Sequence, residues 1–133
     1  MPLKVELKPG ERFILGQSVI TNHDQRTRLY IEGSEPILRE KDILRPCDAD
    51  TPCKRIYLTV QMMYLGDEPK RHHEAFFKLV GELVAAVPSM RPYVDRMNNH
   101  ILTGSLYKAL KEAKAMIAYE GDLLKHATRS AGV

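Results

Sequence analysis

The residues that could carry acid–base, nucleophilic or metal chemistry are scattered along this chain. Its five histidines show neither H-x-x-x-H nor H-E-x-x-H spacing, and the adjacent His72 and His73 would point about 100° apart on a helix. The carboxylates of Glu112 and Glu120 fall in a lysine-rich helical segment, where exposed ion pairs are the expected arrangement. The sequence contains no glycine-rich phosphate loop and no nucleophile elbow. It therefore predicts no catalytic residue, no metal site and no cofactor. A binding protein is thus favoured over an enzyme.

Basic residues interleaved with an aromatic residue give the N-terminal third the chemistry of a nucleic-acid surface. Arg26, Arg28 and Tyr30 alternate along one segment and share a face if that segment is a strand. Arginines beside an aromatic ring on a sheet can neutralise phosphates and stack on bases. The alternative is a solvated strand face held by ordinary cross-strand ion pairs, because acids nearly balance the bases in this part of the chain.

Two further patterns invite a role in binding or metal coordination. Met62, Met63 and Tyr64 could form a partner surface, since methionine adapts to irregular contacts, although packing in a helical core explains the same residues. Cys47 and Cys53 are separated by five residues, which is not the spacing of zinc or thioredoxin motifs. We therefore expect two free, partly buried thiols.

Strands and helices must position these residues, and the spacing of apolar residues changes from a strand period to a helix period near residue 46. Residues 1–46 read as four or five short strands, with polar and apolar residues alternating around Val5 and Leu29, and with Pro9-Gly10 as a turn. Residues 47–133 read as four helices with apolar residues at helical spacing. Helix starts are predicted at Asp50-Thr51-Pro52, Asp67-Glu68-Pro69, Ser89 and Leu106. The expected fold is α+β, a small N-terminal antiparallel sheet or half-barrel followed by a C-terminal four-helix region, with the two subdomains sharing one compact unit.

Composition sets limits on the class of protein. The chain has 133 residues, of which 44% are hydrophobic, and a formal net charge of +3, so wholesale disorder is excluded and a bulk polyanion partner is not indicated. No stretch approaches the length of about 18 to 20 apolar residues that a membrane span needs. The charged start lacks the apolar core of a signal peptide, so we expect a cytoplasmic protein with no membrane partner.

Several sequence blocks follow one another in a recognisable order over almost the whole chain. The blocks are Pro2-Leu3-Lys4, Leu7-Lys8-Pro9-Gly10-Glu11-Arg12-Phe13, Leu38-Arg39-Glu40-Lys41-Asp42-Ile43, Ile56-Tyr57, Gln61-Met62-Met63-Tyr64-Leu65, Tyr107-Lys108-Ala109-Leu110 and Ile117-Ala118-Tyr119-Glu120. In type, order and spacing these blocks resemble the FlbT family of flagellar regulators. The resemblance implies a bacterial, non-enzymatic, post-transcriptional regulator that acts on the 5′ untranslated region of flagellin messenger RNA. Family members typically promote decay of that message, some act as activators, and they work alongside the regulator FlaF.

The N-terminal part also resembles the small RNA-binding regulator CsrA. Pro9-Gly10-Glu11 with Ile14-Leu15-Gly16 is similar to its first hairpin, and Leu38 to Ile43 is similar to its last strand. This second resemblance implies RNA contacts at Lys8 and Arg39, although Leu7 stands where an arginine is expected. CsrA strands interlock between two chains, which would imply a homodimer; alternatively, the appended helices cover the sheet.

Together these patterns give two hypotheses about function, one for an RNA-binding protein and one for a protein-binding module. The first is an RNA-binding repressor whose N-terminal subdomain contacts a flagellin leader and promotes degradation of the message. Its predicted RNA-binding residues are Lys8, Arg12, Arg26, Arg28, Tyr30, Arg39 and Lys41. The second is a protein-interaction module in which Met62, Met63 and Tyr64 bind flagellin or FlaF, with only an indirect effect on the message. A nuclease is a poor third reading, because the sequence offers no acid cluster for metal ions.

Overall fold

Five short strands build the N-terminal unit of the computed structural model, which describes the backbone of residues 2–131 and the side chains of residues 2–127. The strands are β1 (Leu3–Leu7), β2 (Arg12–Leu15), β3 (Ser18–Thr21), β4 (Thr27–Ile31) and β5 (Ile37–Arg39). They form two antiparallel sheets, one with the order β1-β4 and one with the order β3-β2-β5. The alternating patterns of the sequence thus correspond to real strands.

The turn between β1 and β2 has the conformation that its sequence predicts. The Glu11 amide donates to the Lys8 carbonyl at 3.1 Å, and Gly10 has a φ of 75° between them. Proline followed by a glycine with positive φ defines a type II turn. The turn places Lys8 directly after β1.

The N-terminal unit has its own hydrophobic core. Val5, Leu7 and Phe13 are buried, and they pack with the partly buried Leu29 and Ile31 of β4. Val5 and Leu7 of β1 and Leu29 and Ile31 of β4 therefore face this core. Since successive side chains of a strand alternate between its faces, the even-numbered residues of both strands point away from the core.

Four helices build the C-terminal unit, as the sequence predicts. They are α1 (Pro52–Leu65), α2 (His73–Ala86), α3 (Arg91–Leu102) and α4 (Leu106–Ala131). The starts predicted at Asp67-Glu68-Pro69 and Ser89 are wrong for α-helices, because 3-10 turns at Pro69–His72 and Pro88–Met90 come before α2 and α3 begin. The core of this unit contains Ile56, Val60, Met63, Phe76, Val80, Met97, Leu110 and Met116. None of the described helices combines the length and the apolarity needed to cross a membrane.

The chain divides between Ile43 and Leu44 into two compact units, Met1–Ile43 and Leu44–Val133. This division lies three residues before the boundary expected from the change of period. The order of strands first and helices after confirms the α+β class.

Candidate nucleic-acid interface

The register of β1 against β4 brings together polar residues from two distant segments of the sequence. Lys4 lies opposite Tyr30 and Glu6 lies opposite Arg28, while Lys8 and Arg26 follow one residue beyond the paired ends. All of these side chains are exposed. We call this surface the β1–β4 polar face, and its residues are Lys4, Glu6, Lys8, Arg26, Arg28 and Tyr30. Arg28 and Tyr30 share this face as predicted, whereas Arg26 lies just before β4, and the face adds Lys4 and Glu6, which the sequence did not single out.

Four cations and one carboxylate give the β1–β4 polar face a net positive charge. The Glu6 Oε1 atom lies 3.5 Å from Lys4 Nζ and 3.4 Å from Arg28 Nε. Exposed ion pairs of this kind contribute at most about 1 kcal/mol, so both cations can leave Glu6 for a phosphate. Glu32, one residue beyond β4, makes the Tyr30 end less positive than the Lys8 end.

Tyr30 supplies the aromatic component of this face. Its side chain is 71% exposed although it lies within a paired strand. Burying a tyrosine usually stabilises a fold, so a tyrosine held in solvent on a sheet is available for a partner. A nucleic-acid base can stack on such a ring, with the flanking cations on its phosphates.

Asn22 holds the basic end of the face in place. Its Nδ2 atom donates to the carbonyl oxygens of Lys8 at 2.8 Å and Gln25 at 2.7 Å, and its Oδ1 atom accepts from Thr27 Oγ1 at 3.0 Å. These bonds tie the turn after β1 to the loop before β4, the two segments that carry Lys8 and Arg26. Nothing local in the sequence indicates the contact of Asn22 with Lys8.

The other predicted RNA-binding residues form a second group around the β1–β2 turn. A groove of about 490 Å³ is lined by Lys8, Pro9, Gly10, Glu11, Glu40 and Lys41. Arg12 Nε lies 3.7 Å from Glu40 Oε1, and Glu11 accepts a hydrogen bond from the Lys8 amide at 2.9 Å. Arg39 is exposed at the end of β5. Lys8 thus belongs to both groups, while carboxylates offset the cations around the groove.

The predicted partner residues separate into exposed and buried ones. Met62 is 42% exposed, and the half-buried Tyr64 has its ring centroid 5.7 Å from that of Tyr107, which is itself 44% exposed. Met63 is fully buried, so its assignment to a partner surface is wrong, because helical spacing places it in the core with Val60. Only Met62 and Tyr64 of the predicted set can contact a partner.

Glu120 differs from its expected role as an exposed ion-pair residue. It is only 8% exposed, and its carboxylate accepts hydrogen bonds from Thr51 Oγ1 at 2.5 Å and from the Cys53 amide at 3.1 Å. Glu112 does form the expected ion pair, with Arg96 at 3.0 Å. The Glu120 carboxylate is therefore a cap for the start of α1, supplied by α4.

The two thiols lie in different environments. Cys47 is exposed, whereas Cys53 is buried, and both are free. Burial, reinforced by a hydrogen bond to Glu120, raises the pKa of the Cys53 thiol well above its usual range. Among the residues whose side chains are described, no group of three His, Cys, Asp or Glu could hold a metal ion.

Comparison with known proteins gives one consistent family. The family described as "Flagellar protein FlbT" matches residues 3–124. The "Probable flagellum biosynthesis repressor protein FlbT 1" of Bradyrhizobium diazoefficiens is 56% identical over 92% of this chain and 85% of its own length. The "Probable flagellum biosynthesis repressor protein FlbT" of Rhodopseudomonas palustris is 54% identical over 93% of this chain and 98% of its own. The "Flagellum biosynthesis repressor protein FlbT" of Caulobacter vibrioides is 37% identical over 95% of this chain and 92% of its own. No solved structure is significantly similar to the chain.

Proposed function

The chain belongs to the FlbT family of flagellar proteins, and from this premise we propose that it represses flagellin synthesis by binding the 5′ untranslated region of flagellin messenger RNA. The names of the relatives support a repressing role in flagellum biosynthesis. The observation that supports RNA binding is the β1–β4 polar face, where the exposed ring of Tyr30 lies opposite Lys4 and two residues from Arg28, with Lys8 and Arg26 at the other end. In this proposal the chain acts in the cytoplasm and binds the message. A separate ribonuclease then degrades the message.

The dimensions of the face suit single-stranded RNA. Positions 4 to 8 of a strand span about 14 Å, which accommodates on the order of two or three unstacked nucleotides. Tyr30 would stack on one base, while Lys4 and Arg28 on either side of it, and Lys8 and Arg26 at the far end, would contact phosphates. Sequence-specific recognition of RNA generally uses such splayed bases on aromatic side chains.

Salt dependence of binding tests this function. If all four cations contact phosphates of single-stranded RNA, the slope of log affinity against log salt is about −2.8, and affinity falls about 50-fold between 50 and 200 mM salt. We expect Arg28→Gln to make that slope shallower by about 0.7. We expect Tyr30→Ala to weaken binding by about 1–3 kcal/mol with the slope unchanged. Fluorescence anisotropy of a labelled flagellin leader measures both quantities.

A matched control is Arg71→Gln, which removes an exposed arginine from the helical unit and should leave affinity and slope unchanged. The double variant Lys8→Ala/Arg39→Ala tests the group around the turn, and a slope shallower by about 1.4 would show that both residues contact phosphates. Wild-type affinity and slope in Arg28→Gln and Tyr30→Ala would exclude the β1–β4 polar face. No binding to the leader at low salt would exclude direct RNA recognition.

The alternative function is a protein-interaction module, and the exposed side chains of Met62 and Tyr107 favour it. Tyr107 forms a ring pair with Tyr64, and Lys111 Nζ lies 5.1 Å from the centroid of the Tyr107 ring, whereas Met62 lies on a different side of α1 from Tyr64. Aromatic residues and methionine are enriched in protein interfaces. Titration of purified FlaF and flagellin against the chain tests this function. Binding that Tyr107→Ala or Met62→Ala abolishes, with leader affinity retained, would support a protein partner and show which of the two sides of α1 it contacts.

A further inference from the structure

The β1–β4 polar face, which we propose binds RNA, contains the carboxylate of Glu6 among its cations. The presence of this carboxylate needs an explanation. Glu6 repels phosphates and lowers the affinity of the surface for any polyanion. We propose that Glu6 reads the base stacked on Tyr30 and selects bases with hydrogen-bond donors on their Watson–Crick edge, guanine before the others. This inference rests on the proposed RNA-binding function and names the base that its central site prefers.

The sheet register places Glu6 beside Tyr30. Glu6 lies opposite Arg28, and Tyr30 is two residues further along β4, so Glu6 and Tyr30 are diagonal neighbours on one face. Diagonal neighbours of an antiparallel pair have Cα atoms about 7–8 Å apart, within reach of long side chains. A base stacked on the Tyr30 ring would therefore present its edge toward the Glu6 carboxylate.

Two cations orient the Glu6 side chain without exhausting its hydrogen-bonding capacity. Lys4 Nζ and Arg28 Nε both approach the Oε1 atom, at 3.5 and 3.4 Å. An ionised carboxylate has about four lone-pair sites, so it can accept from a base while a cation remains close. The arrangement holds a charged acceptor next to the stacking ring, and it gains strength when a base excludes water from it.

The chemistry of a carboxylate determines which base it prefers. Because an ionised carboxylate only accepts hydrogen bonds, the base must donate. Guanine presents its N1–H and its N2 amino group side by side, which matches the two carboxylate oxygens. Adenine and cytosine each present one amino group, whereas uracil presents one imide N–H between two carbonyl oxygens that repel the carboxylate. Glu6 thus lowers non-specific affinity and raises discrimination between bases.

Short RNA probes separate affinity from base preference. The probes are fluorescein-labelled octauridine and three octanucleotides in which one central uridine is replaced by guanosine, adenosine or cytidine. We expect the full-length wild-type chain to bind the guanosine probe about tenfold more tightly than octauridine. In Glu6→Gln we expect tighter binding of octauridine, because the repulsion is lost, and a guanosine preference below about threefold, because an amide offers one donor and one acceptor.

Two further variants distinguish reading of the base from a general effect of charge. Asp24→Asn removes an exposed carboxylate of the same unit outside the face, and it should keep the guanosine preference. Glu6→Asp keeps the charge but withdraws the oxygens from the base, so it should reduce the preference without tightening octauridine binding. Circular dichroism confirms that each variant is folded.

The outcomes separate this inference from the function on which it rests. Binding of no probe by the wild-type chain at low salt would contradict the proposed function. Binding of all four probes with equal affinity by the wild-type chain would overturn the base preference and leave RNA binding intact. A guanosine preference that persists in Glu6→Gln would show that another residue reads the base, and it would likewise overturn the assignment to Glu6.

Discussion

Removal of the Glu120 carboxylate should destabilise the helical unit more than its surface-like sequence context suggests. The carboxylate joins α4 to the first turn of α1, where it accepts from the Thr51 hydroxyl and the Cys53 amide. That first turn contains no acidic residue of its own, and the exposed Asp50 carboxylate just before it pairs with Lys54 Nζ at 3.2 Å. Glu120 supplies a buried negative charge at the positive end of the α1 dipole from a position 67 residues away from Cys53.

The magnitude follows from the groups left without a partner in Glu120→Ala. The Cys53 amide belongs to a buried residue, and hydrogen bonds to charged groups contribute about 1.5–3 kcal/mol each. The Thr51 hydroxyl loses less, because it is half-buried and still accepts from the Lys54 amide at 3.2 Å. We therefore expect a loss of about 3 kcal/mol in the free energy of unfolding. For a chain of this size that loss corresponds to a melting temperature about 6–12 °C lower.

Thermal and urea unfolding followed by circular dichroism at 222 nm measures this effect, since the helices dominate the signal. Glu112→Ala is the matched control: it removes a glutamate from the same helix that forms a partly exposed ion pair with Arg96, and it should cost less than about 1 kcal/mol. A double-mutant cycle of Glu120→Ala with Thr51→Ala should show a coupling of at least about 0.5 kcal/mol. Equal destabilisation by Glu120→Ala and Glu112→Ala, or a coupling of zero with Thr51, would refute the capping role.

Two other predictions concern the thiols and the loop that orients the basic face. In the native chain the exposed Cys47 should react with a thiol reagent such as Ellman's reagent, and Cys53 should react only after unfolding. Because the folded-state pKa of Cys53 lies above the ordinary value of 9.0, its contribution to stability is complete below pH 9 and is lost as the pH rises further. Unfolding curves should therefore show a loss of at most about 1.4 kcal/mol per pH unit above pH 9, which Cys53→Ala removes. For Asn22→Ala, we expect about 1–3 kcal/mol of destabilisation and weaker binding to the leader. Asn22→Asp should not rescue either property, because a carboxylate cannot donate to the carbonyls of Lys8 and Gln25; full rescue would show that these bonds are dispensable.

The sequence predicts the elements of this fold because their signals are local. Alternation around Val5 and Leu29 marks strands with one buried face, and the Pro9-Gly10 pair marks the turn that the structure contains. The α1 start is similarly local, since Thr51 caps the helix and Pro52 begins it. Each of these features depends on residues within about one turn or one strand length.

The contacts that define the candidate site are non-local, and the sequence could not predict them. Lys4 and Glu6 belong to the β1–β4 polar face only because β1 pairs with β4 rather than with the neighbouring β2. Strand order has no signature in the alternation of either strand, so the sequence groups Arg26, Arg28 and Tyr30 and indicates Lys8 only separately. The expected exposure of Glu120 is wrong for the same reason, since a lysine-rich helix indicates exposure and only tertiary packing brings Glu120 to α1.

The small net charge and the short polar face together constrain how such a protein could select one message. A formal charge of +3 gives weak non-specific attraction, so most of the useful affinity must come from placed contacts. A strip about 14 Å long reads on the order of two or three nucleotides, a sequence that recurs many times in any message. Selective recognition of one leader therefore requires contacts beyond the β1–β4 polar face. Lys8 provides the connection, because it ends this face and also lines the groove that contains Lys41. Affinity should accordingly continue to rise as an RNA probe is lengthened past three nucleotides, and Lys41→Ala should remove part of that rise.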